Sequence, residues 1–199
     1  MPVTPLPIAN GFYVSDSLPV SAQQCINWYP SVVEVPALNQ EILFGTPGST
    51  QLATSGVLDN VNRGSWTFDG VPYFVNGTKL YRLDLTVVSE VDTFALTDLG
   101  TISGTGRVSM ADNGTQLCVL VPGGAGYIFT TGPDTLTTIT DVDFRANGEP
   151  QYVVFIDGYF VFTTDSKKFI TSAINDGLAY NALDFGTAEA DPDDIGPRS

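Results

Sequence analysis

The sequence predicts an all-β fold: β-propeller blades, each a four-stranded antiparallel sheet, preceded by an extended N-terminal arm. Three observations carry this prediction. The composition suits sheets and tight turns, one hairpin recurs at near-constant spacing, and the beginning of the chain is rich in proline. Hydrophobic residues make up 43% of the 199, enough for a real core, but only 15% are charged, against roughly 25% in a typical globular chain. No long stretch has the Ala, Glu, Lys and Leu pattern of a solvated helix face.

The recurring hairpin is an apolar strand, a turn with Asp or Asn before Gly, and a second apolar strand. It occurs as Ser65-Trp66-Thr67-Phe68, Asp69-Gly70 and Val71-Pro72-Tyr73-Phe74-Val75. It returns as Val108 to Ala111, Asp112-Asn113-Gly114 and Gln116 to Val121, then as Val153 to Ile156, Asp157-Gly158 and Tyr159 to Phe162. Asp-Gly and Asn-Gly favour two-residue hairpin turns because a type I′ turn needs positive φ at both central positions. The aspartates fall at 69, 112 and 157, spacings of 43 and 45 residues. Third strands are expected at Lys79 to Leu83, Tyr127 to Phe129 and Lys168 to Thr171, and fourth strands at Thr93 to Leu96 and Leu136 to Ile139. Short antiparallel strands in groups of four at this period are the signature of propeller blades. A sandwich of hairpins is the competing architecture, and the regular spacing favours the propeller. Strands one and two of each unit are nearly continuous apolar runs, as sheets packed on both faces require.

Only about three units begin after residue 60, whereas propellers close with four to eight blades. A partial propeller is therefore expected, with residues 61–199 forming about three blades of a longer domain. The stretch Ala188-Glu189-Ala190-Asp191-Pro192-Asp193-Asp194-Ile195 reads as a link to further blades rather than an end. Residues 1–60, with Pro2, Pro5, Pro7, Pro19, Pro30, Pro36 and Pro47, read as an extended arm. Such an arm packs along its own domain or reaches a neighbouring subunit.

The formal charge of −14, from 8 basic and 22 acidic residues, argues against a grip on nucleic acid. Neutralising phosphates takes clustered Lys and Arg, and the only adjacent pair is Lys167-Lys168. An acidic wall is still compatible with DNA that slides without sticking, although the charge also serves solubility. Cys25 and Cys118 are far apart, and free thiols in a reducing cytoplasm are expected. Met1-Pro2-Val3-Thr4-Pro5 has neither a basic start nor an apolar run, so no secretory leader is expected. No stretch approaches 18 apolar residues, so no membrane partner is expected.

With no histidine anywhere, Ser-His-Asp and Cys-His catalysis and the commonest zinc ligand are excluded. Gly123-Gly124-Ala125-Gly126, between Pro122 and a strand, reads as a hairpin loop rather than a phosphate cradle. Paired carboxylates of the glycosidase kind leave Asp69, Asp112 and Asp157 as candidates, one per unit. Asp before Asn or Gly in a hairpin is favoured for backbone reasons alone, which is the leading explanation. Glu189, Asp191, Asp193 and Asp194 lack the ligand spacing of a calcium loop and read as a solvated linker. Trp28, Trp66, Tyr73, Tyr81 and Tyr159 fit sugar stacking or, more simply, blade-to-blade packing. No catalytic residue, cofactor or metal is expected.

The order of several motifs adds a resemblance. Asn27-Trp28-Tyr29-Pro30, Val33-Glu34, Thr46-Pro47-Gly48, Arg63-Gly64 and Asp69 to Tyr81 together resemble the packaged-DNA-stabilisation proteins of short-tailed phages, the tail hub or nozzle proteins. The segment from Asn181 to Asp193 is also similar to that family, so the resemblance runs from about residue 23 to 194. It implies a structural virion protein in the tail, assembled in the host cytoplasm as a six-fold homo-oligomeric ring that plugs the portal channel. It implies contacts with the portal, the tail needle and the tailspikes, and packaged DNA resting in the channel without specific binding. Trp28 and Tyr29, in the arm, are the candidates for subunit contacts. The alternative function is a carbohydrate-active or carbohydrate-binding β-propeller.

Overall fold

The computed structural model of the chain describes residues 27–32, 41–55, 61–88 and 91–188, in two units divided between Gln51 and Leu52. In the first unit, β1 (Trp28–Val32) and β2 (Glu41–Gly45) form an antiparallel ribbon. Its base is closed by Thr46, whose amide and hydroxyl both donate to the Asn27 carbonyl. Much of the expected arm at 1–60, with Pro2, Pro5, Pro7, Pro19 and Pro36, lies outside the described residues. So do Cys25 and the acidic stretch from Glu189 to Asp194.

The second unit contains three four-stranded antiparallel meanders. The first sheet is β3 (Asn62–Phe68), β4 (Val71–Asn76), β5 (Lys79–Val88) and β6 (Val91–Thr101). The second is β7 (Ser109–Asp112), β8 (Gln116–Leu120), β9 (Gly126–Thr130) and β10 (Thr135–Thr138). The third is β11 (Pro150–Ile156), β12 (Tyr159–Thr164), β13 (Lys168–Ala173) and β14 (Asp176–Thr187). In each sheet spatial order equals chain order, which is the topology of a propeller blade.

Two hairpins turn as their Asp-Gly pairs predict. Asp69 and Gly70 have φ of 50° and 74°, and Asp157 and Gly158 have φ of 50° and 88°, the left-handed pair a type I′ turn demands. The second hairpin departs from expectation. Asp112 belongs to β7, and Gly114 alone takes positive φ, 87°. Asn113 N–H donates to the Gln116 carbonyl at 3.0 Å, so Gly114 and Thr115 are the central pair, with Gly first as in a type II′ turn. The Asn113 carboxamide oxygen accepts the amides of Thr115 and Gln116, a local bond that moves the turn by one residue.

Two further elements lie outside the strands expected from the sequence. The 3₁₀ turn Val142–Arg145 is capped by Asp141, whose Oδ1 accepts the Asp143 amide at 2.9 Å. β14 forms because β13 needs a partner for its ladder, and it approaches closely at Gly177, where a Cβ would collide with Ile128 and crowd Phe160.

Two buried clusters hold the sheets together. Phe68, Tyr73, Val75 and Leu80 of the first sheet meet Leu117, Val119, Tyr127 and Phe129 of the second. On its other face the second sheet offers Cys118, Leu120 and Ile128 to Val153, Phe160, Phe162 and Ile170 of the third. Burial on both faces, expected for every unit, is complete only in the middle sheet, where β8 and β9 are buried almost throughout. In β11 burial alternates, and Tyr152, Val154 and Ile156 are exposed. A strand is covered on both faces only where a sheet lies on each side.

The connection from β6 to β7 is pinned by a buried cation. Arg63, 3% exposed, donates from Nε to the Gly106 carbonyl at 2.6 Å and from Nη1 to Gly77 and Ile102 at 3.0 and 3.1 Å. Its Nη2 donates to Ser103 at 2.9 Å. Its own carbonyl accepts the Val108 amide at 2.9 Å, so β3 and β7 start side by side.

Asp157→Asn should leave the urea unfolding midpoint nearly unchanged, since Asn tolerates the left-handed region. Asp157→Val should cost about 1–2 kcal/mol from Cβ crowding at positive φ. Equal losses in both variants would show that the carboxylate, not the backbone, sets this position.

Candidate functional site: the hairpin end of the blades

Because β3, β7 and β11 run side by side in one direction, the first turn of every meander and the third turns of the second and third meanders fall at one end of the sheets. Bonds across the two seams fix this. Trp66 Nε1 donates to Asp112 Oδ2 at 2.6 Å, and Arg82 Nη1 donates to Asp134 Oδ2 at 2.9 Å. Asn113 Nδ2 donates to the Asn175 carbonyl at 3.3 Å, and Gln116 Oε1 accepts the Gly177 amide at 2.9 Å.

This end is acidic. It carries Asp69, Asp112 and Asp157 at the first turns, Asp134 before β10 and Asp176 at the start of β14. Among the described residues its one basic side chain is Arg82, which is held by Asp84 at 2.7 Å and Asp134 at 2.9 Å. Lys79, Arg107, Arg145, Lys167 and Lys168 all lie at or next to the opposite turns and sheet connections, interspersed with Asp98, Glu149 and Asp165. The segregation follows from topology: residues at alternate turns of a meander emerge at alternate ends.

The Arg82 network has its own electrostatics. The bond with Asp134, and then that with Asp84, push the guanidinium's pKa up against burial. Burial would raise the Asp84 carboxyl, but the Thr97 hydroxyl and Arg82 outweigh it and hold it below the ordinary carboxylate range. On the other seam, burial pushes the Cys118 thiol far up, so it stays protonated; it is free and packed in the core.

The candidates chosen from sequence are placed as follows. Asp69 and Asp157 sit exposed in their turns, while Asp112 is engaged by Trp66 and by the Gly114 amide at 3.1 Å. Asp69 and Asp157 occupy equivalent turn positions, whereas Asp112 ends β7, just before its turn. No group of three or more Cys, Asp or Glu side chains suited to a metal ion occurs among the described residues. Tyr73 is buried between Phe68 and Phe129, and Tyr81 is buried against Phe74, so neither offers a face to a sugar. Tyr159 is 38% exposed beside an open groove of about 460 Å³ lined by Phe169, Leu183, Asp184 and Phe185. Lys168 Nζ lies 4.2 Å from the centre of the Phe185 ring. Gly123, Gly124 and Ala125 lie in the β8–β9 turn, and at Gly126, the first residue of β9, a Cβ would strike Ile139 and Phe144. Trp28 and Tyr29 lie in β1, 54% and 47% exposed; Tyr29 stacks on Phe44 with ring centres 5.7 Å apart.

Sequence reasoning assigned no role to Arg63, Arg82 or Asp84. The available signal was scarcity: in a chain with eight basic residues, an arginine inside a predicted strand, as Arg82 is, or just before one, as Arg63 is, needs a partner.

These features define a β-propeller scaffold whose placed polar groups mainly join sheet to sheet. The family model described as phage stabilisation, bacteriophage P22 Gp10, β-propeller, matches residues 4–197. The chain belongs to this family of phage structural proteins. No curated protein matches it significantly. Among solved structures, the crystal structure of Myxococcus xanthus glutaminyl cyclase is similar at 14% identity, with a TM-score of 0.39. The match covers 66% of this chain and 52% of that one, so the chain spans about half of that enzyme's length. A likeness this low carries no argument.

The Asp84 site predicts a pH dependence. Its folded pKa is depressed, so its contribution is present above the ordinary carboxylate pKa and fades as pH falls through that value toward the folded one. Asp84→Asn should lower the urea midpoint at about pH 7 and reduce the further loss on acidification to about pH 3. An unchanged acid slope would show that Asp84 does not carry it.

Proposed function

We propose that this chain is a tail-hub subunit of a short-tailed phage that plugs the portal channel and retains packaged DNA. Family membership over residues 4–197 supports this reading, and the acidic hairpin end carries its mechanism. A wall of Asp69, Asp112, Asp134 and Asp157 repels phosphates, so DNA is blocked sterically without adhering. The working form is a homo-oligomeric, six-fold ring in contact with the portal, the tail needle and the tailspikes. It is assembled in the host cytoplasm and takes its place in the virion tail. DNA rests in the channel without specific binding, no membrane is involved, and the protein's role is not catalytic. Trp28 and Tyr29, exposed on the β1–β2 ribbon, make subunit contacts.

The test is the DNA content of particles assembled without this protein. Particles should package their genome and then leak it, and complementation with Trp28→Ala should restore retention only weakly because ring assembly is impaired. Particles that hold their DNA but lose adsorption would overturn the plug. Such a result would favour glycan recognition at the Tyr159 groove instead. Full ring assembly by Trp28→Ala would remove the contact assignment alone.

A further inference from the structure

Arg63 stands apart from the other described arginines. Its guanidinium is buried and has no carboxylate partner among the described residues. All four of its bonds go to backbone carbonyls, of Gly77, Ile102, Ser103 and Gly106, at 2.6 to 3.1 Å. Three of those carbonyls belong to the connection between the first and second sheets. That connection, Ile102-Ser103-Gly104-Thr105-Gly106-Arg107, has few side-chain anchors of its own. Ile102 is fully buried, and Ser103 is held from the second sheet by the Tyr127 hydroxyl, which accepts its amide at 3.0 Å and lies 2.7 Å from its Oγ. Gly104 has φ of 80°, and a Cβ there would come within 3.4 Å of Arg63 Nη2 and 3.1 Å of Val121. Glycine thus lets the chain wrap the cation closely.

A ring of inward-facing carbonyls concentrates negative potential, and only a cation with several donors satisfies it at once. We propose that Arg63 is a tethered cation that locks the joint between the first two blades, so that the placement of the second blade on the first depends on this charge. The lock is a conformational device of the fold and stands independently of the tail-hub reading.

The test is chemical rescue in the full chain. In Arg63→Ala, the amides of Ile102, Ser103 and Val108 should exchange with deuterium at least ~10-fold faster, as expected for local opening. The Phe160 amide in the third sheet, bonded to Ser172 Oγ at 3.0 Å, should keep its protection. Low-millimolar ethylguanidinium should restore the three amides, while ethylurea, similar in shape but neutral, should not. Arg63→Lys should fall between wild type and Arg63→Met, because a point charge reaches fewer carbonyls than a planar fork. Equal rescue by ethylurea, or Arg63→Met protected as well as Arg63→Lys, would overturn the proposal by showing that volume, not charge, fills the ring. If Arg63→Ala fails to fold, refolding yield becomes the readout. Recovery with ethylguanidinium alone supports the lock, and recovery with both compounds or with neither sinks it.

Discussion

The second unit depends on how its first two sheets are joined, and that joint is built around the Arg63 guanidinium. A buried charge is costly unless its donors are satisfied, and here four carbonyls satisfy them. The converse matters as much. The Ile102 carbonyl, on a fully buried residue, would cost about 1–3 kcal/mol if left without a donor, so cation and connection stabilise each other. The Val108 amide then meets the Arg63 carbonyl, β7 starts beside β3, and Gly64 lets them come close, since a Cβ there would press on Val108. The apolar seam of Phe68, Tyr73, Leu117 and Phe129 follows from that placement.

The two seams solve one problem with different chemistry. Both are apolar inside and carry polar bonds at the hairpin end. The first uses charge, in Trp66 with Asp112 and Arg82 with Asp134. The second uses neutral groups, with Asn113 and Gln116 reaching Asn175 and Gly177, and Ser109 Oγ accepting the Val153 amide at 3.1 Å. Apolar burial is non-directional, so it supplies adhesion without fixing how far one sheet slides on the next. The directional bonds at the seam edges supply that register. Their placement also leaves most turn aspartates of one end facing outward, the arrangement a surface meant to exclude phosphate requires.

Much of the fold was legible locally. Asp69-Gly70 and Asp157-Gly158 specify their turns because few other residue pairs tolerate two successive positive φ values, and the apolar runs beside them specify strands. The second hairpin misled by one residue because the Asn113 side chain, invisible to a turn rule, captures two amides. β14 was harder to read: its alternating pairs Leu178 and Tyr180, then Leu183 and Phe185, are thrown out of phase by Asn181-Ala182, and the segment pairs along the edge of β13. Of the candidate site, the aspartates were visible as turn formers, but their gathering at one end was not.

Residue order alone makes the protein all-β, makes its units hairpin-led meanders repeating every 43 to 45 residues, and leaves it without histidine chemistry. These are consequences of composition and of φ preferences between near neighbours. Which faces are covered, which aspartates share an end, and the closing of the first joint by Arg63 come from the folded arrangement. Each of those depends on groups far apart in the chain, such as Arg63 with Gly106 or Asp112 with Trp66, and no local pattern encodes a contact between residues separated by a whole blade.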